Sequence, residues 1–145
     1  MAKGFTVLSP QNNFLYEFDV ASGAAATIKR GMLVKETAGA GYVVLCANGD
    51  TNTADIVGVA LSDSTDTASA DGKVQVARGF PLLVRGVANT PSNLAQAVKN
   101  DLVTLDVSSN DMTIDENDTT NGFIQIITYD NTTDGNVIAE IMCKT

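Results

Sequence analysis

Apolar residues along the chain fall in short runs that alternate with polar positions or are rich in β-branched residues, and polar, glycine-bearing stretches separate them. Such runs predict strands over residues 14–20, 32–36, 41–46, 56–62, 73–77, 81–87, 101–107, 111–115, 123–129 and 136–142. Turn formers lie between them: AGAG at 38–41, NGD at 48–50, ADG at 70–72, SSND at 108–111, NDTTNG at 117–122 and TTDG at 132–135. Short strands at this spacing predict an all-β sandwich or barrel. One segment, SNLAQAVK at 92–99, has a helical pattern, with Ser92 as N-cap and Leu94, Ala97 and Val98 on one face. Gly58 is isolated inside a strand, a position that marks a bulge or a close backbone approach.

The order of signals echoes itself. From residue 31 to 77 the chain runs strand, turn, strand, NGDTNT, IVGVA, a polar loop ending on Asp71-Gly72, and a further strand. From residue 100 to 142 it runs strand, turn, strand, NDTTNG, FIQII, a polar loop ending on Asp134-Gly135, and a last strand. This is the signature of a duplicated four-strand unit, although hairpin-built β proteins produce similar echoes without duplication.

Length and charge narrow the function. At 145 residues the chain is one domain large enough to bury a core without staples. Its 17 acidic and 9 basic residues give a net charge of -8, which opposes non-specific attraction to nucleic acid. Residues 1–90 carry a net -1 and residues 91–145 a net -7, so a surface docked on another protein is expected from the first half. No run reaches the length of a membrane helix, and no signal segment opens the chain, so a protein made in the cytosol, without a membrane partner, is expected. Cys46 and Cys143 end apolar runs; they read as buried free thiols, with a disulfide as the alternative.

The chemistry is sparse. The chain has no histidine, which removes the commonest general base and transition-metal ligand. Asp50, Asp55, Asp63, Asp66 and Asp71 sit in polar, turn-rich stretches and the chain has no tryptophan, so a two-carboxylate glycosidase cleft is not indicated and the five read as solvated. The loop SDSTDTASADG, residues 62–72, does not follow the alternating acidic spacing of a calcium loop and reads as a solvated connector. No phosphate-binding glycine motif occurs. Catalytic, cofactor-binding and metal-binding residues are accordingly not expected.

Adhesive features remain. Residues 1–13 read as an N-terminal arm ahead of a single β domain spanning 14–145. Lys3, Phe5, Val7 and Leu8 are its candidate contacts, with a first strand folded on the domain's own sheet as the other reading. Arg78, Phe80 and Arg85, in ARGFPLLVRG, add guanidinium and aromatic groups of the kind enriched at interfaces. Alternation places Phe80, Leu82 and Val84 on one face of that strand and Leu83 and Arg85 on the other.

The run from GMLV through GVAL, a polar loop ending on DG, and VQVARG, followed by NDLVTLDV and DGNVIAEIM, resembles the small decoration, or cement, proteins of tailed-phage heads across residues 20–143. The resemblance implies an all-β fold of β-tulip or related barrel type. It also implies a homotrimer bound to the major capsid protein at three-fold and quasi-three-fold positions on the outer surface of an expanded virion shell. It implies no catalytic residues and no cofactor, and assigns contact with the capsid or a neighbouring subunit to the segment Lys3 to Gln11. A carbohydrate-binding β-sandwich of a tail fibre or surface assembly is the alternative, though only 5 Phe and 3 Tyr are present to stack on sugars.

Overall fold

The computed structural model of the chain describes residues 3–8, 14–23, 26–79, 81–109, 111–130 and 133–143. Among the described residues there are eleven strands: β1 (Thr6–Val7), β2 (Phe14–Val20), β3 (Leu33–Glu36), β4 (Val43–Leu45), β5 (Ile56–Ala60), β6 (Gly72–Arg78), β7 (Leu82–Val87), β8 (Leu102–Ser108), β9 (Asp111–Asp115), β10 (Ile124–Tyr129) and β11 (Asn136–Ile141). They form two curled sheets, of order β2-β6-β5-β3-β4 and β1-β7-β11-β10-β8-β9, with every strand pair antiparallel. The fold is the all-β barrel or sandwich that the strand spacing predicts.

The two sheets repeat one connectivity. In each, the first strand (β2, β7) pairs with the fifth (β6, β11), the fifth with the fourth (β5, β10), the fourth with the second (β3, β8) and the second with the third (β4, β9). The first and third strands of each then meet through one isolated parallel bridge, Asp19 with Tyr42 and Ala88 with Ile114. Each sheet therefore curls until its edges touch, which leaves few unpaired backbone groups to attract a foreign strand. The shared order extends the repeating pattern by one strand in front of each echo seen in the sequence.

Packing is asymmetric. Val20, Ile28, Val34, Val43, Val57, Ala60, Val74 and Val76 fill the first sheet's concave side. A larger cluster combines the second sheet's interior, including Val84, Ile114, Ile124, Ile126 and Ile141, with Leu33, Ile56, Val59 and Ala77 from the first sheet's other side. Strand β5 is buried at all five positions because both its faces are covered, which explains its unbroken apolar run. Gly58 lies where the β3–β5 register shifts, and a Cβ there would stand 1.9 Å from the carbonyl oxygen of Ala77. The glycine is needed for that close backbone approach.

The helix expected over 92–99 is not formed. Two short 3-10 turns, Pro91–Asn93 and Gln96–Val98, stand in its place, broken by extended backbone at Leu94 and Ala95. Leu94 is drawn into the core while its neighbours Ala95, Gln96 and Ala97 stay exposed. Burying one side chain against a sheet outweighs the weak helical preference of so short a segment.

Candidate docking face

The loop at 62–72 is solvated over most of its length, with residues 63, 65 and 67–71 exposed, but Ser64 and Asp66 are buried, so it is more than a connector. It lies along residues 22–23 and 26–30 and is bonded to them at many points: Ser64 N to the Ile28 carbonyl at 2.8 Å, Ile28 N to Ser64 Oγ at 3.0 Å, Arg30 N to Asp63 Oδ1 at 2.9 Å and Ala26 N to the Asp66 carbonyl at 3.0 Å. Asp66, 2% exposed, accepts from the Ser64 hydroxyl and from the hydroxyl and amide of Thr27. Burial pushes its carboxyl up, but those donors outweigh burial and leave it below the ordinary carboxylate range. Sequence reasoning missed this because hydroxyls and Asp have the same composition in a free loop and in a belt satisfied by a distant segment.

The remaining aspartates of the first half also have structural partners. Asp50 holds Lys35 Nζ at 2.7 Å, and Asp71 accepts from Tyr42 Oη at 2.7 Å and from Ser22 N at 2.8 Å. The Tyr42 bond, followed by that of Ser22, lowers the Asp71 carboxyl, while the same bond and the Asp71 charge raise the Tyr42 phenol. Cys46 and Cys143 are buried free thiols, and burial raises both, Cys143 to about 11. Among the described residues no group of three or more His, Cys, Asp or Glu side chains could hold a metal ion, and no helix is long and apolar enough to cross a membrane.

The sequence-selected contact residues separate. Lys3 is exposed, Val7 and Leu8 are half-buried, and Phe5 is a core residue, 4% exposed, because the segment carrying it is laid into the second sheet. Strand β1 pairs with β7, Thr6 opposite Arg85 and Val7 opposite Val84. Arg78 belongs to the first sheet, half-buried, with its guanidinium carbon 5.6 Å from the Tyr16 ring centroid. Phe80 lies outside the described residues. Leu82 and Val84 are fully buried and Arg85 is exposed, as alternation requires.

Arg85 stands on the convex side of the second sheet, and register shows what stands beside it. One row across the strands is Thr6, Arg85, Ile138, Thr128; the next is Leu83, Glu140, Gln125, Leu102. Paired residues project to one side of a sheet, so these form one continuous face. Leu102 is 43% and Ile127 37% exposed, and Leu83 and Ile138 are half-buried. A shallow hollow of about 610 Å³ is lined by Arg85, Thr128, Tyr129, Asp130, Asn136 and Ile138, and Lys99 Nζ lies 5.5 Å from the Tyr129 ring centroid. Arg85 enters no ion pair among the described residues.

The face mixes apolar side chains with two cations, Arg85 and Lys99, and two carboxylates, Glu140 and Asp130. These four charges balance on a chain of net -8, but three of the five strands of the face, β8, β10 and β11, come from the more acidic second half and not from the first half, where a docking surface was expected. Leu102, Ile127, Ile138 and Tyr129 were not singled out by sequence. Ile127 follows Gln125 outward as alternation requires, whereas the register shift between Ile126 and Thr128 brings Thr128, which alternation would turn inward, beside Ile138 on the outer face. In comparisons with protein-family models, curated proteins and solved structures, nothing matches this chain.

Proposed function

We propose that the chain is a structural decoration protein of a tailed-phage head, acting by binding and not by catalysis. It sits on the outer surface of the expanded shell as a homotrimer at three-fold and quasi-three-fold positions, and its partner is the major capsid protein. The observation that carries the docking element is the charge-balanced, partly apolar face of β1, β7, β11, β10 and β8 around Arg85, Leu102 and Ile127. The resemblance of residues 20–143 to decoration proteins supplies the partner. An interface repeated in each subunit of a trimer gains affinity through effective concentration, so a modest face is enough.

The test is co-sedimentation with shells stripped of decoration. Wild-type protein is expected to pellet saturably with expanded shells and not with unexpanded ones. Arg85→Glu and Ile127→Glu, both exposed and so compatible with folding, are expected to weaken pelleting by about tenfold or more, the cost of losing one anchor. Pelleting with neither form of shell removes the reading.

A second reading, carbohydrate recognition, is favoured by a hollow of about 480 Å³ lined by Phe18 and Tyr42 together with Glu36, Asp55 and the 37–41 hairpin loop. Aromatic faces beside carboxylates suit a sugar ring. Glycan-array binding abolished by Tyr42→Ala, with no pelleting on shells, selects it.

A further inference from the structure

One buried carboxyl group is satisfied on one oxygen only. Glu116 directly follows β9 and is 2% exposed. Its Oε1 accepts from Thr90 N at 3.0 Å and, over longer contacts, from Asn117 Nδ2 at 3.4 Å and Asn93 Nδ2 at 3.5 Å. Its Oε2 is shut off from solvent and has no hydrogen-bond partner, a condition that no other buried side-chain oxygen or nitrogen among the described residues shares. None of the ion pairs among the described residues involves Glu116. A buried carboxylate without a counter-charge is costly, so the fold has to supply one at Oε2 or give up the charge.

The groups around it are neutral amides from two separate connections. Thr90 and Asn93 belong to the segment between β7 and β8, where Pro91–Asn93 forms a 3-10 turn; Glu116 and Asn117 belong to the turn after β9. Thr90 N fixes the carboxylate through Oε1, whereas Asn93 and Asn117 are exposed residues whose contacts to it are long. Rotating either side-chain amide about its last torsion presents a carbonyl oxygen in place of the NH2 group and forfeits only a weak bond. The carboxylate and two amide oxygens then form an all-oxygen set whose remaining places face water. Calcium takes such mixed sets of carboxylate, amide carbonyl and water at about 2.3–2.6 Å, while magnesium demands a near-ideal octahedron and dehydrates reluctantly.

We propose that Glu116, Asn93 and Asn117 form a calcium site that ties the connection between β7 and β8 to the end of β9. Oε2 is the oxygen the ion takes, and Oε1 keeps its bond to Thr90 N. Residues 91–145 carry 9 acidic and 2 basic side chains, so the field of this half draws a divalent cation toward the site. The two segments already meet through Asn89 N and the Ile114 carbonyl at 2.7 Å, and the ion adds a second tie at the opposite end of the 3-10 turn. Leu94 enters the core directly after that turn, and Pro91 lies over Gly135, where a Cβ would stand 2.6 Å from Pro91 Cγ. With one carboxylate the site belongs to the weak end of calcium binding, because ligand charge count sets affinity. The inference is independent of what the protein docks on.

The test is titration of the full-length chain, freed of metal with a chelator and desalted, with calcium chloride and, at matched ionic strength, with magnesium chloride. Calorimetry is expected to show one calcium per chain with a Kd of about 10⁻⁴–10⁻³ M, and the melting temperature is expected to rise with calcium as binding to the folded state requires. Magnesium at the same concentration is expected to do neither. Glu116→Gln keeps the shape of the side chain and is expected to weaken calcium binding about tenfold or more, as is the double variant Asn93→Ala/Asn117→Ala, whose positions are exposed and so compatible with folding. The absence of saturable calcium binding by the wild-type chain overturns the proposal. So does a response equal in wild type and Glu116→Gln, or equal for the two metals, because either is screening of the net negative charge and not a site. Should Glu116→Gln fail to fold by circular dichroism, the double asparagine variant decides, and an undiminished calcium affinity in it overturns the proposal.

Discussion

Phe5 and Gly86 form a complementary pair whose coupling is measurable in the folded chain. Phe5 is 4% exposed, and truncating a buried Phe to Ala costs about 3–5 kcal/mol through lost transfer energy and the cavity left behind. Gly86→Ala places a methyl 2.8 Å from Phe5 Cε1, 3.0 Å from Cδ1 and 3.1 Å from Ile114 Cδ1. Overpacking of that kind costs about 1–3 kcal/mol, against which alanine returns about 0.5–1 kcal/mol of strand backbone preference. With Phe5 already truncated, the new methyl enters vacated space and meets only the tip of Ile114, so Gly86→Ala is expected to be neutral or slightly stabilising there. The double-mutant cycle should therefore show coupling of about 1–3 kcal/mol, far from additivity. Equilibrium urea unfolding of the four proteins, with m-values checked for constancy, supplies the numbers. Costs that add within about 0.5 kcal/mol, or a Phe5→Ala cost below that size, would show that the ring does not rest on Gly86 in solution and would refute the packing argument.

Other parts of the molecule respond in their own ways. Asp66→Ala leaves the Ser64 hydroxyl and the Thr27 amide without their acceptor and should cost about 1–3 kcal/mol in the same unfolding assay. Because the folded Asp66 carboxyl is lowered, its contribution is present above the unfolded value of about 4 and is lost as pH falls through the lowered folded value. Asp66→Asn should therefore narrow its deficit relative to wild type below about pH 4, and a deficit unchanged down to pH 2 would contradict the network. Tyr42 is raised, so its bond to Asp71 stabilises fully below about pH 10 and is lost as pH climbs through the folded value; Tyr42→Phe should flatten that alkaline decline in melting temperature. Gly58→Ala forces a methyl into the Ala77 carbonyl and should cost about 3 kcal/mol or more, appearing as loss of soluble protein or a large drop in unfolding midpoint. Cys46 and Cys143 should react with a thiol reagent at neutral pH far more slowly in the native chain than in urea, and fast native labelling would contradict their burial.

Period and punctuation along the chain were enough to place ten strands within a few residues of their observed ends, to assign the all-β class, to mark Gly58 and to turn Arg85 outward from Leu82 and Val84. These are local properties: alternation reports which side of a pleat a residue occupies, and a glycine without a turn context reports crowding. Tertiary structure alone decided the rest. It laid residues 3–8 across two sheets and set Phe5 on Gly86, buried Asp66 beneath donors contributed by Thr27 and Ser64, and replaced the expected helix at 92–99 with two 3-10 turns so that Leu94 could reach the core. It also gathered Arg85, Ile138, Leu102 and Ile127, from four different strands, on one face. The physical reason is the same in each case: hydrogen-bond satisfaction and cross-strand neighbourhood depend on pairing register between distant segments, and a one-residue change of register moves every side chain to the other face without altering the pattern from which the strand was read.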